Sequence, residues 1–136
     1  MQEQQKHITQ ETIAELQSIQ SFLEEEPETD ATILIERLTK LNSYMARTGF
    51  LLAEAKADQD SAIAAVFAEH SSAIIKMPSQ VSQKFISALC EKENFNVTWI
   101  ERINRTCSHQ GDNIRTQVSF AKEEMRLVNS PYGNPR

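Results

Sequence analysis

The chain reads as all-α: an elongated antiparallel hairpin of two long helices with a shorter helix before it. Three observations predict this. Its four prolines, Pro27, Pro78, Pro131 and Pro135, leave two stretches of about fifty residues with no proline. Proline removes a backbone donor and clashes with the preceding turn, so helices stop near it. Only three glycines occur, Gly49, Gly111 and Gly133. Within the long stretches apolar residues recur at alternating spacings of three and four, the signature of a packed helical face.

The first helix is expected from about residue 10 to 25. Thr9 suits its N-cap and Glu11 its first turn. Ile13, Leu16, Ile19, Gln20 and Leu23 keep helical spacing, with Phe22 on the flank. Its end is electrostatically awkward, because Glu24-Glu25-Glu26 places negative charge at the negative end of the helix dipole. Residues 1–8 are expected to fray.

Thr29 or Asp30 caps the second helix. Leu34, Leu38, Leu41, Met45, Thr48 and Leu52 form a heptad seam. Gln59, Ala62, Val66 and Glu69 continue its register amid many alanines, which keep helix propensity high while side-chain bulk falls. Asp58-Gln59-Asp60-Ser61 is the expected internal break, since such residues compete for backbone hydrogen bonds. His70-Ser71-Ser72 is read as the start of the connection, with His70 facing the negative end of the helix dipole. Pro78 and Ser79 start the third helix, whose first apolar face is Val81, Phe85, Ala88 and Leu89. A second break is expected at 94–98. The seam then resumes through Ile100, Ile103, Cys107, Gln110, Ile114, Val118, Ala121, Met125 and Val128. Residues 9–128 form one helical domain, and 129–136, with two prolines and a glycine, read as a disordered tail.

Length sharpens this outline. A helix unbroken from 79 to 128 spans about 75 Å, whereas a compact domain of this size has a radius of gyration of about 14 Å. Either the helices break, or a long hairpin exposes its seam and a second copy covers it. The second option makes Leu34, Leu38, Leu41, Met45, Leu52, Ile103, Gln110, Ile114 and Val118 the expected self-association residues, in a homodimer or higher oligomer. Gln110 and Gln59 are polar residues on these stripes, where an amide needs a partner and can set register.

The net charge of −5 is uneven. Residues 1–30 hold eight acids against Lys6, and the remainder carries a slight basic excess. This disfavours general binding of nucleic acid, which needs a basic surface. The terminus Met1-Gln2-Glu3-Gln4-Gln5-Lys6 is polar and no apolar run approaches a membrane span. A cytoplasmic, reduced protein without membrane contact is expected. Cys90 and Cys107, about 25 Å apart if both lie on one helix, are too far apart there for a disulfide.

The densest polar stretch, 104–113, offers the one candidate ligand site. Arg102, Arg105, His109, Asp112 and Arg115 gather on the polar side of the third helix; Asp112 could orient His109 while the arginines bind an anion or nucleotide. The same residues suit an ordinary solvated face, and a His–Asp pair without a nucleophile is not a mechanism. Phe95 and Trp99 beside the arginines could stack on bases of single-stranded nucleic acid, or simply pack. Cys107 and His109, two apart, point in opposed directions on a helix and cannot share a metal. No catalytic residue, cofactor or metal is expected, and the chain is read as non-enzymatic. Gly49 and Gly111 lie inside helical patterns, where each disfavours the helix. Close helix crossing, approach of a ligand, or a kink would explain them.

Two segments carry a resemblance: Arg47-Thr48-Gly49-Phe50-Leu51-Leu52-Ala53-Glu54-Ala55-Lys56, and the stretch from Asn104-Arg105-Thr106 to Lys122-Glu123-Glu124-Met125-Arg126-Leu127. Together they resemble small helical proteins of bacteriophages and prophages, particularly those of gut Bacteroidales, over about half the chain. The resemblance rests on general helical texture and transfers no site residue. Such proteins, where they have been given roles, have accessory ones, in DNA recombination, replication or counter-defence; the resemblance itself implies only a protein inside an infected or lysogenic bacterium. The expected function is an interaction protein that self-associates, with a possible protein partner; nucleotide or nucleic-acid binding by the basic face is the alternative.

Overall fold

A computed structural model describes residues 6–26 and 28–129. They form four helices and, among the described residues, no strand: α1 (Gln10–Glu24), α2 (Ala31–Ile75), α3 (Ser79–Leu89) and α4 (Glu91–Asn129). The two long helices pack against each other along most of their length. This is the expected hairpin with its shorter leading helix.

Each helix starts where its chemistry favours a start. Thr9 Oγ1 accepts from the Thr12 amide, and Asp30 accepts from the amides of Thr32 and Ile33. Each cap satisfies donors that have no partner inside the helix. Pro78 sits at the N-cap of α3 and offers no side-chain cap. Glu91 and Glu93 occupy the first turn of α4 and Arg126 its last, each with the sign the helix dipole favours.

The breaks differ from those expected. Residues 58–61 and 94–98 are continuous helix. At both places the polar residues find partners across the hairpin: Gln59 Nε2 donates to Asn94 Oδ1 at 2.7 Å. A side chain bonded to a neighbouring helix no longer competes for its own backbone. The departures lie instead at His70, with φ −118° and ψ 20° inside α2, and at Cys90, with φ −109° and ψ 24° between α3 and α4. The chain therefore turns from α3 into α4 at a fully buried cysteine, and no helix runs unbroken from 79 to 128.

The hairpin register follows from its glycines. A Cβ on Gly111 would meet Leu38 Cδ1, and one on Gly49 would meet Asn104 Nδ2. The two glycines thus face different partners, as a turn near residue 75 requires.

The third element changes the picture most. α1 runs antiparallel to α2 and lies over the seam between α2 and α4. Leu16, Ile19 and Leu23 are buried there with Leu34, Leu41, Leu51, Ile100, Ile103, Cys107 and Ile114. Burying one such aliphatic side chain stabilises by about 1.5–3 kcal/mol, which is why the amphipathic α1 docks. Its approach is fixed by the preceding residues. Ile8 is buried, and the amides of His7 and Ile8 donate to the Asp58 carboxylate at 2.8 and 2.9 Å. Residues 6–8, expected to fray, are held in place; residues 1–5 lie outside the described residues, as does the expected tail beyond Asn129.

Candidate interaction surface

The polar face proposed from sequence does not converge into a site. Arg102, Arg105, His109, Asp112 and Arg115 are all exposed on α4. Arg105 pairs with Glu101 at 3.3 Å one turn away. Arg115 pairs with Asp112 at 3.0 Å and donates to Asn42 Oδ1 at 3.2 Å. Asp112 therefore engages Arg115, and no hydrogen bond joins it to His109 among the described residues. The best-formed clefts, of about 300–560 Å³, are lined by other side chains. No group of three metal-binding side chains occurs among the described residues, and no described helix is long and apolar enough to cross a membrane.

The residues named for self-association already have partners in the chain. Leu34, Leu41, Ile103 and Ile114 are buried, and Leu38, Met45, Leu52, Gln110 and Val118 are half-buried. The helix that covers the seam is the chain's own α1. Sequence periodicity identifies an apolar face but not which helix fills it.

Polar residues on the seam form cross-links at intervals. Gln59 bonds Asn94. Asn104 Nδ2 donates to the Met45 carbonyl at 2.9 Å and to Thr48 Oγ1 at 3.1 Å. Arg37, only 8% exposed, donates to the Phe22 carbonyl at 2.8 Å and to Gln110 Oε1 at 3.3 Å. Gln110 Nε2 in turn donates to the Leu23 carbonyl at 2.8 Å. Arg37, Thr48 and Gln59 stand eleven residues apart, three helical turns, and so fall on one line of α2. A slip of register would leave these buried polar groups unpaired, at about 1–3 kcal/mol each. Burial pushes the Cys90 and Cys107 thiols up from their ordinary range, with Glu93 adding to the effect at Cys90; both are therefore poor nucleophiles.

Exposed apolar side chains are spread over the molecule. Ile33, Ile35, Phe50 and Phe67 lie along α2, Ile75 and Val81 flank the turn between α2 and α3, and Leu89 and Phe95 flank the bend between α3 and α4. At the opposite end they belong to the last turns of α4. Because Gly111 faces Leu38, the first residue of α2, Ala31, lies level with Val118. Residues 119–129 therefore continue past the start of α2 for about 16 Å. The seam positions Met125 and Val128 are 64% and 74% exposed, and Phe120 and Leu127 are exposed on the other side. The signal for this end was present in sequence: the seam of the last helix runs further than the helix meant to cover it. No family model, curated protein or solved structure matches the chain.

Proposed function

We propose that this chain is a non-enzymatic helical interaction protein that acts by self-association. One observation carries the reading: the apolar seam of α4 continues in register through Val118, Ala121, Met125 and Val128 beyond the reach of α2, with no described residue over Met125 or Val128. A seam at heptad spacing is built to receive another helix. A passive role is supported by the use of Arg37, Gln59, Asn104 and Gln110 in hydrogen bonds that tie the helices to one another. The resemblance of 47–56 and 104–127 to phage-encoded helical proteins supports an accessory function in an infected or lysogenic bacterium.

Binding of nucleotide or nucleic acid by the α4 basic face ranks below this. Arg105 and Arg115 are neutralised by Glu101 and Asp112, and the overall charge opposes phosphate. Sedimentation velocity from micromolar to millimolar protein tests the proposal. Mass should rise with concentration, and Met125→Glu with Val128→Glu should abolish the rise while leaving the helical circular dichroism unchanged. A monomer at every concentration would overturn it.

A further inference from the structure

We propose that α1 is a hinged cover: it leaves the α2·α4 seam as a unit while the two long helices stay paired, and its departure opens the Cys107 thiol to solvent. This does not depend on the self-association proposed above.

The register places the cysteine under α1. Both α1 and α4 run antiparallel to α2, so they run parallel to each other. Lys6 bonds Glu93 and Gln110 bonds the Leu23 carbonyl, an offset of 87 residues in both cases. That constant offset sets Cys107 level with Gln20, between the buried Ile19 and Leu23. Cys107 is 2% exposed and shares a core cluster with those two residues. Cys90 falls beyond the N-terminal end of α1, in a cleft with Ile63 and Phe67 of α2.

Opening strands no polar group in the core. The ties of α1 and its leading residues are Asp58 with the amides of His7 and Ile8, Lys6 with Glu93, Glu15 with Arg47, and the hold of Arg37 and Gln110 on the last carbonyls. Departure of α1 hands each of these groups to water, which replaces the lost bonds. Arg37 gains by it. Its Nε has no partner in the closed form, and the Phe22 ring that stacks on its guanidinium leaves with α1.

The connection adds a bias of its own. Residues 25–30 join α1 to α2. Glu25, Glu26 and Glu28 line one cleft with Glu36, where Arg37 and Lys40 answer only part of the charge. Carboxylates held near one another repel, and swinging α1 away separates them. The paired long helices keep Leu34, Leu41, Ile103 and Ile114 between them, with the cross-helix bonds of Gln59 and Asn104. An element with fewer buried contacts opens at lower free energy than the core it covers.

The experiment uses the full chain at urea concentrations below the unfolding transition and follows two signals. One is alkylation of Cys107 by iodoacetamide, assigned by peptide mass so that label on Cys90 is counted apart. The other is amide hydrogen exchange along α1 and α4. The thiol should open together with the amides of Leu16 and Ile19, at least tenfold or so more often than the Cys107 amide loses its protection, and with a shallower urea dependence. Asp58→Ala should raise labelling of Cys107 about tenfold and leave that shallow dependence unchanged. A thiol that opens only with the α4 amides, at their urea dependence, overturns the proposal. Labelling that Asp58→Ala leaves unchanged overturns it as well.

Discussion

Arg37 on α2 and Gln110 on α4 meet at the C-terminal end of α1, where together they take the carbonyls of Phe22 and Leu23. The last turn of α1 has no basic residue and runs into Glu24-Glu25-Glu26. The positive charge its dipole calls for comes from another helix: the Arg37 guanidinium, which also stacks on the Phe22 ring at 4.1 Å and lies 3.6 Å from Glu25 Oε2. A buried cation persists only with such partners, although the Arg37 Nε finds none.

Removing either member should therefore weaken the docking of α1. Arg37→Met is expected to lower stability by about 2–3 kcal/mol and Gln110→Met by about 1–2 kcal/mol, as carbonyls lose their donors. Because the two share one network, the double variant should lose less than the sum. Urea unfolding of the three variants checks this; strict additivity would show that the groups act separately.

The helical class, the hairpin and three of the helix starts were legible because caps, prolines and period are local properties of the chain. The breaks were not. Asp58 and Asn94 look like helix breakers until their cross-chain partners are known, namely the amides of His7 and Ile8 for the first and Gln59 for the second. The buried role of Arg37 was hidden because a charged residue at that spacing normally points to solvent. Leu34 and Ile103 were rightly placed on an apolar face, but periodicity does not state whether α1 or another chain fills it. On the face around His109 sequence spacing did not show that Arg105 and Arg115 each pair with an acid one turn away, Glu101 and Asp112.

The glycines lead to a second prediction. Gly49 and Gly111 are helical, neither has positive φ, and an added Cβ would find its nearest neighbours at 3.7 and 3.6 Å, ordinary contact distances. Close helix crossing does not account for them. Alanine at each should stabilise by about 0.5–1 kcal/mol through helix propensity and a less flexible unfolded chain. The sites are far apart, so Gly49→Ala/Gly111→Ala should gain nearly the sum. A fall in the thermal midpoint would show that the helices approach more closely than this geometry implies.

Asp58 is the anchor for the entry into α1. Its two carboxylate oxygens take one amide each, and Lys6 pairs with Glu93 alongside at 3.1 Å. Asp58→Ala leaves those amides to water and releases residues 6–8, with loss of about 1–2 kcal/mol. Hydrogen exchange at His7 and Ile8 should accelerate to nearly unfolded rates while amides within α4 remain protected. Continued protection at Ile8 would assign the anchoring to burial of its side chain instead.

The Glu15–Arg47 pair binds α1 to α2 from outside, with Arg47 Nε and Nη2 donating to the two carboxylate oxygens at 2.7 and 3.0 Å. This hydrogen bonding holds the Glu15 carboxyl below its ordinary range, against a smaller opposing effect of burial. A carboxyl lowered in the folded state adds stability that is fully present above its unfolded value of about 4.3 and is lost as pH falls through the folded value. Both side chains are more than a third exposed, so solvent screening limits the contribution to about 0.2–1 kcal/mol. Glu15→Gln should therefore unfold at slightly lower urea than wild type at neutral pH. The two midpoints should converge in strong acid, where wild-type Glu15 is also protonated. An equal gap at both pH values would assign the effect to packing of the side chain rather than its charge.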